Sequence, residues 1–249
     1  MRLGAILFWL MVWEAVSRVV GREILVASPL RVFSRLLELG GGGAFWLSIA
    51  ETGARVMRGF FLSVFVGGLM AVVTHYSRVM RHLFRPLLSV IRATPVASLI
   101  ILALVWLASG QIPSFIVFLM VMPIIWTNLS TGLDHVDSRL LEMATIFKFT
   151  ASKKFKLIYI PALMPYFVAA CTTGIGAAWK SAIAAEVISR PRGAMGTQIY
   201  NARIYLETAD LFAWTVTVIV MSVFIEKLTV YLLGVFSNRL LKGGAAGAN

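Results

Sequence analysis

"EMATIFKFTASKKFKLIYIP", residues 142–161, is a charged stretch in the middle of an otherwise apolar chain. One apolar run ends before it near Trp126, and another begins directly after it at Ala162. The stretch carries four lysines and one glutamate, in a chain of which only 14% of the residues are charged. A basic, amphipathic segment between two apolar runs indicates a connection that lies on the membrane surface between two membrane-crossing helices.

The composition of the 249-residue chain indicates a protein whose main solvent is lipid. Hydrophobic residues make up 59% of it and the mean hydropathy is +0.85, whereas a soluble domain averages about 45–50% apolar residues. We therefore expect a single transmembrane domain over residues 1–249. The net charge of +12 fits basic cytoplasmic loops better than a nucleic-acid surface, because no basic stripe lies on a polar domain.

Six apolar segments predict membrane-spanning helices, which need about 20 residues to cross the hydrocarbon. They lie at residues 3–20, 56–73, 87–107, 112–129, 162–185 and 211–236. Backbone groups in lipid must pair internally, and the alternating pattern of barrel strands is absent, so the predicted fold is all-α and polytopic. Thr94 and Pro95, inside the third segment, predict a kink in it.

The distribution of basic residues predicts the orientation of the chain. The predicted loop 75–92 contains four arginines and no acidic residue, and the quoted stretch forms a second basic loop on the same side. Because lysine and arginine favour the inner side of a membrane, we expect both loops and both termini in the cytoplasm. His75, His82 and His135 all fall in predicted loops.

The first helix and the outer loop that follows it occupy residues 1–49, and the loop predicts a short amphipathic helix. Ser28 is placed to cap its N-terminus, Pro29 suits the first helical position, and Gly40 is placed to end it. The glycines at 40–43 predict a flexible joint between this helix and the second span.

The central segment, residues 137–161, predicts two short helices joined by a tight turn. Asp137 is placed to cap the first helix and Thr150 the second, and Pro161 is expected to end or redirect the chain. Two interpretations stay open from the periodicity alone. The helices either lie along the lipid headgroups or form a surface on which a cytosolic partner docks.

The quoted stretch resembles the EAA signature of ABC-transporter permease subunits, which reads E-A-A, three residues, G, nine residues and I-x-L-P. Glu142 and Ala144 match its beginning, and Ile158 and Pro161 match its end at the same spacing. Lys148 departs from the signature, because it stands where the family usually has glycine. If the backbone there is left-handed, a lysine costs about 1–2 kcal/mol relative to glycine.

Two further segments resemble the nitrate, sulfonate and taurine group of these permeases. "RPLLSVIRATPVASLIILALVW", residues 85–106, is similar to the segment that precedes the signature. "AAWKSAIAAEVISRPRGAMGTQI", residues 177–199, is similar to a region that reads W-K, A-E and G-L-G. The resemblance identifies residues 50–236 as a permease core.

The resemblance implies a transport protein of a prokaryotic cell membrane rather than an enzyme. A homodimer of the chain would form the substrate pathway, two cytoplasmic ATP-binding subunits would carry ATP-Mg, and an extracytoplasmic binding protein would deliver the substrate. This chain would then hold no cofactor, no metal and no catalytic residue. The group transports small anions such as nitrate, sulfonate, taurine and bicarbonate, or small heteroaromatic vitamin precursors, and the sequence does not select among them.

The same resemblance assigns roles to named residues. Contacts with the ATPase are expected at Glu142, Ala144, Lys148, Phe155, Ile158 and Pro161. Candidates for the pathway or its gate are Gly174, Trp179 and Lys180 in the fifth span and Glu186 directly after it. A charged residue at this depth normally faces a cavity or a partner, although Lys180 could also extend its ammonium to the membrane surface. The small residues Ala170, Gly174 and Ala178 fit either close helix packing or the lining of a narrow pathway.

"GIGAAWKS", residues 174–181, nearly matches a phosphate-binding loop, but Trp179 replaces the second required glycine and no strand precedes it. We therefore expect ATP to bind elsewhere. A membrane-embedded enzyme and an ion-coupled secondary transporter are the alternative functions for such an apolar chain. A membrane-embedded enzyme needs acid, base or nucleophile groups that converge at membrane depth, and an ion-coupled secondary transporter usually shows repeated halves. The sequence shows neither pattern.

Overall fold

The structure of the chain is a computed structural model, which describes residues 2–246 and the side chains of residues 4–235 and 237. Within residues 2–246 the chain forms helices and no strand, which confirms the all-α prediction. The helices are α1 (Arg2–Val20), α2 (Pro29–Gly40), α3 (Gly43–Tyr76), α4 (Arg78–Ala93), α5 (Val96–Ala103), α6 (Ile112–Asp134), α7 (Ser138–Ile146), α8 (Ala151–Lys154), α9 (Ile160–Ser189), α10 (Met195–Ile204) and α11 (Thr208–Ala246). A π-helical segment, Phe155–Tyr159, joins α8 to α9.

Among the described residues, four helical runs are long and apolar enough to cross a membrane. They are α3, α6, the run Ala151–Ser189 and the described part of α11, Thr208–Val235. The second, fourth and fifth predicted spans lie inside these runs and the sixth lies inside α11, so their helical nature is confirmed. The first predicted span coincides with the helix α1, and its crossing of the membrane stays a prediction.

The third predicted span is wrong as a straight helix. Helices α4 and α5 are bent by 101° relative to each other, and they make a fifth span only if the bent pair is counted as one. Pro95 has no backbone N–H, and Thr94 before it is extended, with ψ of 127°. The kink is therefore confirmed in position, but it is a break between two helices.

The loop predicted at residues 75–92 is also wrong, because it is mostly the amphipathic helix α4. Ser77 caps α4 by accepting a hydrogen bond from the Met80 N–H at 3.3 Å. His75 consequently lies in α3 and His82 in α4, whereas His135 directly follows α6. The basic residues of this segment lie along one face of α4, and their number made the segment resemble a basic loop in the sequence.

The core is formed mainly by α3, α6 and α9. A Cβ atom placed on Gly59 of α3 would lie 2.4 Å from the Ser114 carbonyl oxygen, and one on Gly67 would lie 2.9 Å from that of Met122. Larger residues at either position would push α3 away from α6, so the two glycines allow the backbones to pack closely. This tight pair supports α9, and α9 carries all four candidates for the pathway.

The short amphipathic helix predicted between the first two spans is present as α2. Ser28 accepts a hydrogen bond from the Arg31 N–H at 3.4 Å and Pro29 is the first residue of α2, so the cap is confirmed. Arg35 of α2 donates to Asp210 Oδ2 at 3.0 Å, which ties this helix to the start of α11. Hydrogen bonds to Asp210 and Glu38 hold the pKa of the Arg35 guanidinium above its usual value.

Candidate functional site

The first short helix of the central segment, α7, begins where the sequence predicts. Asp137 Oδ1 accepts a hydrogen bond from the Arg139 N–H at 2.8 Å, which confirms Asp137 as the N-cap. Ala144 is fully buried, so it fixes the helix against the rest of the chain. Glu142 is exposed, and no ion pair occupies it among the described residues.

The turn after α7 has the geometry that the glycine of the EAA signature would favour. Lys148 has a φ of 51°, which is left-handed. The Lys148 N–H donates to the Thr145 carbonyl at 3.1 Å, and the Phe149 N–H donates to that of Ala144 at 2.8 Å. These two bonds close a helix end of the Schellman type, in which the left-handed position is usually glycine. The turn is therefore retained although lysine replaces the glycine.

The second short helix is capped as predicted, but it does not end at Pro161. Thr150 accepts a hydrogen bond from the Lys153 N–H at 3.3 Å. From Ala151 the helix continues through the π-helical segment into α9, so Ala151–Ser189 is one helical run of 39 residues. Pro161 lies in the first turn of α9. The residue before it, Ile160, donates its N–H to the carbonyl of Phe155, five residues earlier in the chain. The shift to a wider turn accommodates the missing N–H of the proline.

The two short helices and the π-helical segment that follows them expose large apolar side chains. Ile146 is 77% exposed and Phe147 is 68% exposed, and Met143 and Phe155 are also exposed. Ile158, by contrast, is buried and holds the π-helical segment to the core. Glu142 and Ile146 line a groove of about 560 Å³ on α7 together with Ser138, Leu141 and Thr145. An exposed apolar patch of this kind marks a contact surface.

At the other end of α9, Glu186 is fully buried in a polar cluster. Its Oε2 accepts hydrogen bonds from the Thr52 hydroxyl at 3.0 Å and from the Gly196 N–H at 3.1 Å. Its Oε1 lies 3.3 Å from Nη1 of Arg55, whose side chain is only 7% exposed. We call Thr52, Arg55, Glu186 and Gly196 the Glu186 cluster. It joins α3, α9 and the N-terminus of α10, where a helix dipole favours a negative charge.

Two glycines allow this cluster to form. Gly193 has a φ of 64°, which turns the chain back after α9 toward the start of α10. A Cβ atom on Gly196 would lie 2.5 Å from the Cβ of Glu186, so only glycine lets the α10 N-terminus approach the carboxyl group. In the W-K, A-E and G-L-G region of the sequence, Glu186 belongs to the A-E pair and Gly196 to the glycine part. The close approach of these two residues explains why a glycine is required at this distance from the glutamate.

The four candidates for the pathway occupy different places. Gly174 packs against α6, where a Cβ atom would lie 3.0 Å from Val121 Cγ1, and Trp179 is buried and donates to the Val218 carbonyl of α11 at 3.1 Å. Glu186 belongs to its buried cluster. Lys180 alone among the four is exposed, and it lines a cavity of about 460 Å³. A pathway or gate role for the four residues stays a prediction, and the geometry favours Lys180.

Three functional candidates were missed by the sequence reasoning. Thr52 and Arg55 precede the second predicted span, which begins at residue 56, but α3 begins at Gly43 and carries both into the core. Arg92 was assigned to a cytoplasmic loop, but it lies beside Pro123 and Thr127 of α6. The available signal was that Arg55 and Arg92 each lie within a few residues of an apolar run, where a charge needs a partner.

Comparison with known proteins identifies the family. Residues 63–242 match the family model described as "Binding-protein-dependent transport system inner membrane component". The match covers more than half of the chain, and it includes α6 to α10 and therefore both short helices.

Individual relatives and a solved structure agree with this match. The chain is 26% identical over 206 residues to a probable ABC transporter permease protein of Brucella melitensis, covering 82% of this chain and 83% of the relative. It is 22% identical over 243 residues to the bicarbonate transport system permease protein of Synechococcus elongatus, and the match covers 92% of this chain and 86% of the relative. The fold resembles the crystal structure of an amino acid ABC transporter with histidines, with a TM-score of 0.58 and 17% sequence identity. The superposition covers 78% of this chain and 94% of the chain in that structure.

The left-handed turn predicts that Lys148→Gly stabilises the protein. Glycine removes the Cβ clash of the left-handed backbone, so we expect a gain of about 1 kcal/mol and a rise of about 2–4 °C in the thermal unfolding midpoint. Lys148→Ala is the matched control, because it removes the same charge and keeps the Cβ atom. An equal gain in both variants would assign the effect to the lysine charge instead of the backbone.

The Glu186 cluster predicts a large loss of stability for Glu186→Ala. The substitution leaves the Arg55 guanidinium buried without its deepest partner, which typically costs about 3–5 kcal/mol. Glu51→Ala removes the other acid that contacts Arg55, but Glu51 is 44% exposed, and we expect about 1 kcal/mol or less. Unfolding midpoints of both variants in detergent measure the difference. Similar losses for the two variants would contradict the role given to burial.

Proposed function

Since the chain belongs to the family of binding-protein-dependent transport system inner membrane components, the permease subunits of ABC importers, we propose that two copies of it form the substrate pathway. In this proposal a separate cytoplasmic ATPase docks on residues 137–161, and a binding protein delivers the substrate from outside. The observation that carries the proposal is the unbroken helical run Ala151–Ser189, which starts in the exposed short helices and ends in the core.

The exposed surface of the short helices supports docking of a partner. Its apolar residues Ile146 and Phe147 are among the most exposed large side chains of this region, although the neighbouring lysines make the segment polar. The Lys154 Nζ donates to the Thr145 hydroxyl at 3.1 Å, so the two short helices are held together as one surface. A displacement of this surface must move the start of α9, because no loop separates them.

The pairing of two copies rests on the family and fits the exposed faces of the spans. The described part of α11 has no buried residue in its most apolar window, and α5 exposes Ile101 and Leu102. Apolar faces of this kind pack against lipid or against other helices in a membrane. The proposed orientation places the short helices and both termini in the cytoplasm.

We further propose that the substrate is a small anion. A relative is named as a bicarbonate transport system permease, and the exposed Lys180 lines a cavity that Arg92 also lines. Nitrate, sulfonates and taurine carry a comparable anionic group. A small heteroaromatic vitamin precursor is the alternative from the family resemblance.

Glu142→Lys tests the docking of the ATPase. The carboxylate is exposed on α7 and lines the groove with Ile146, so a reversed charge is expected to block the partner without disturbing the core. Co-purification of the ATPase with tagged permease should fall by at least tenfold, and uptake should fall with it. Membrane insertion and the amount of permease should stay unchanged.

Glu207→Lys is the matched control for this test. Glu207 is also exposed, and it precedes α11 at the opposite end of the spans, because α11 follows the C-terminal end of α9. This variant should retain the ATPase at the level of the unaltered chain. Full transport by Glu142→Lys, or equal loss of the ATPase in both variants, would contradict the proposed docking surface.

A further inference from the structure

A cavity of about 460 Å³ lies among α4, α5, α6 and α9, and two cationic side chains line it. Arg92 comes from the end of α4 and Lys180 comes from α9. We call it the Arg92–Lys180 cavity. The rest of its lining is mainly apolar, and none of the described residues that line it carries a carboxylate. Its volume is that of a site for a small molecule.

The cavity lies within the membrane-crossing part of the chain. Its wall on α6 is formed by residues between 119 and 124, near the middle of the helix Ile112–Asp134. Its wall on α9 is formed by residues between 177 and 184, which are well inside the helix Ile160–Ser189. Cations at such a depth are costly unless they meet water, a partner or a ligand.

The Arg92 side chain is held in place without being neutralised. Its Nη2 donates to the Pro123 carbonyl at 3.1 Å and to the Thr127 hydroxyl, and both acceptors belong to α6. Neither acceptor is charged, and the remaining N–H groups of a guanidinium can still bind an anion. Lys180 makes no ion pair within the part of the chain that the structure describes. The cavity therefore has two positive charges and no internal counterion from these residues.

The break between α4 and α5 adds a third positive element. Val96, the first residue of α5, lines the cavity together with Thr94. The Ser98 and Leu99 N–H groups both donate to the Pro95 carbonyl. The N–H groups of Val96 and Ala97, which come before them in α5, have no acceptor within the helix. Half-helices that begin at membrane depth direct such N-termini toward anionic groups.

We propose that the Arg92–Lys180 cavity binds a small soluble oxyanion during its passage through the membrane. The guanidinium would contact two oxygens of the anion, and the lysine ammonium would face it from α9. The inference rests on the proposed function and names the residues and the chemical class of its substrate. A carboxylate, a bicarbonate ion or a sulfonate carries the required oxygens, whereas a neutral heteroaromatic compound does not use two cations.

Binding of methanesulfonate to the full-length permease tests the site without the ATPase. The protein is placed in nanodiscs of zwitterionic lipid, and binding is followed by saturation transfer to the methyl protons of the probe. We expect Lys180→Met and Arg92→Met each to raise the dissociation constant by about tenfold or more, because each removes a charge-assisted contact. Lys180→Arg, which keeps the charge, should bind close to the unaltered chain.

Arg58→Met is the matched control, because Arg58 is an exposed arginine of α3 that does not line this cavity. It should bind methanesulfonate as the unaltered chain does. The proposal is overturned if the unaltered chain does not bind, if Lys180→Met and Arg92→Met bind normally, or if Arg58→Met loses binding equally. It is also overturned if nanodiscs with phosphatidylglycerol abolish binding, since an anionic headgroup would then be the occupant.

A labelling experiment remains informative if an arginine or lysine variant folds poorly. Cys171 is the only cysteine and is buried, so Ala184→Cys adds one accessible thiol to the wall of the cavity. A methanethiosulfonate reagent that carries a sulfonate should react at least tenfold faster than one that carries a quaternary ammonium. Adding Lys180→Gln should reduce this ratio toward one, and an unchanged ratio would contradict the proposal.

The two proposals can fail separately. Normal ATPase binding by Glu142→Lys would reject the docking surface and would leave methanesulfonate binding unaffected. Loss of the ATPase in that variant, together with unchanged anion binding in Lys180→Met, would keep the importer and reject the Arg92–Lys180 cavity as its anion site.

Discussion

The helical run Ala151–Ser189 carries the chain from the short helices into the core, so its backbone hydrogen bonds must continue along its whole length. A backbone N–H or C=O group without a partner is expensive in hydrocarbon, so a helix that crosses lipid cannot be interrupted freely. Pro161 and Pro165 remove two donors from this run, and the π-helical segment Phe155–Tyr159 shifts the bonding just before the first of them. The surface helix α8 and the span α9 therefore remain one body.

The rotation of side chains around α9 then determines what each of its charges can do. Lys180 and Glu186 are six residues apart, which turns the second side chain by about 240° from the first. The Glu186 carboxyl group faces α3 and α10, where Thr52, Arg55 and the Gly196 N–H surround it. The Lys180 ammonium faces the cavity beside α6 and the broken pair α4 and α5. The two charges that the sequence places together thus serve different surfaces.

Features that depend on a few neighbouring residues could be predicted from the sequence. The caps at Ser28, Asp137 and Thr150 are local, since each side chain bonds a backbone N–H two or three residues ahead. The left-handed position at Lys148 could be anticipated in the same way, because the signature places glycine there and the turn is only a few residues long. Long apolar runs similarly predicted the positions of the four long helical runs.

Features that depend on distant contacts or on a competing backbone geometry could not be predicted. Apolar composition around Thr94 and Pro95 continues across the break, so hydropathy alone cannot distinguish a kinked span from two helices at 101°. Pro161 signals a helix end, but a wider turn before it keeps the ladder continuous. The partners Thr52 and Glu186 are separated by 134 residues, and only the close approach of α3 and α9 brings them together.

The positions of the anchored and exposed ends of α9 define how motion of the short helices would reach the cavity. The Glu186 cluster holds the C-terminal end of α9 to α3 and α10, and Ala151 lies 35 residues away, or about 52 Å along a helix. Lys180 lies only about 9 Å from the same anchor. For a rigid rod that tilts about the anchor, Lys180 moves about one sixth as far as Ala151. Arg92 is hydrogen-bonded to α6, so a tilt of this rod relative to α6 would change the separation of the two cations and with it the fit of the anion that we propose binds between them.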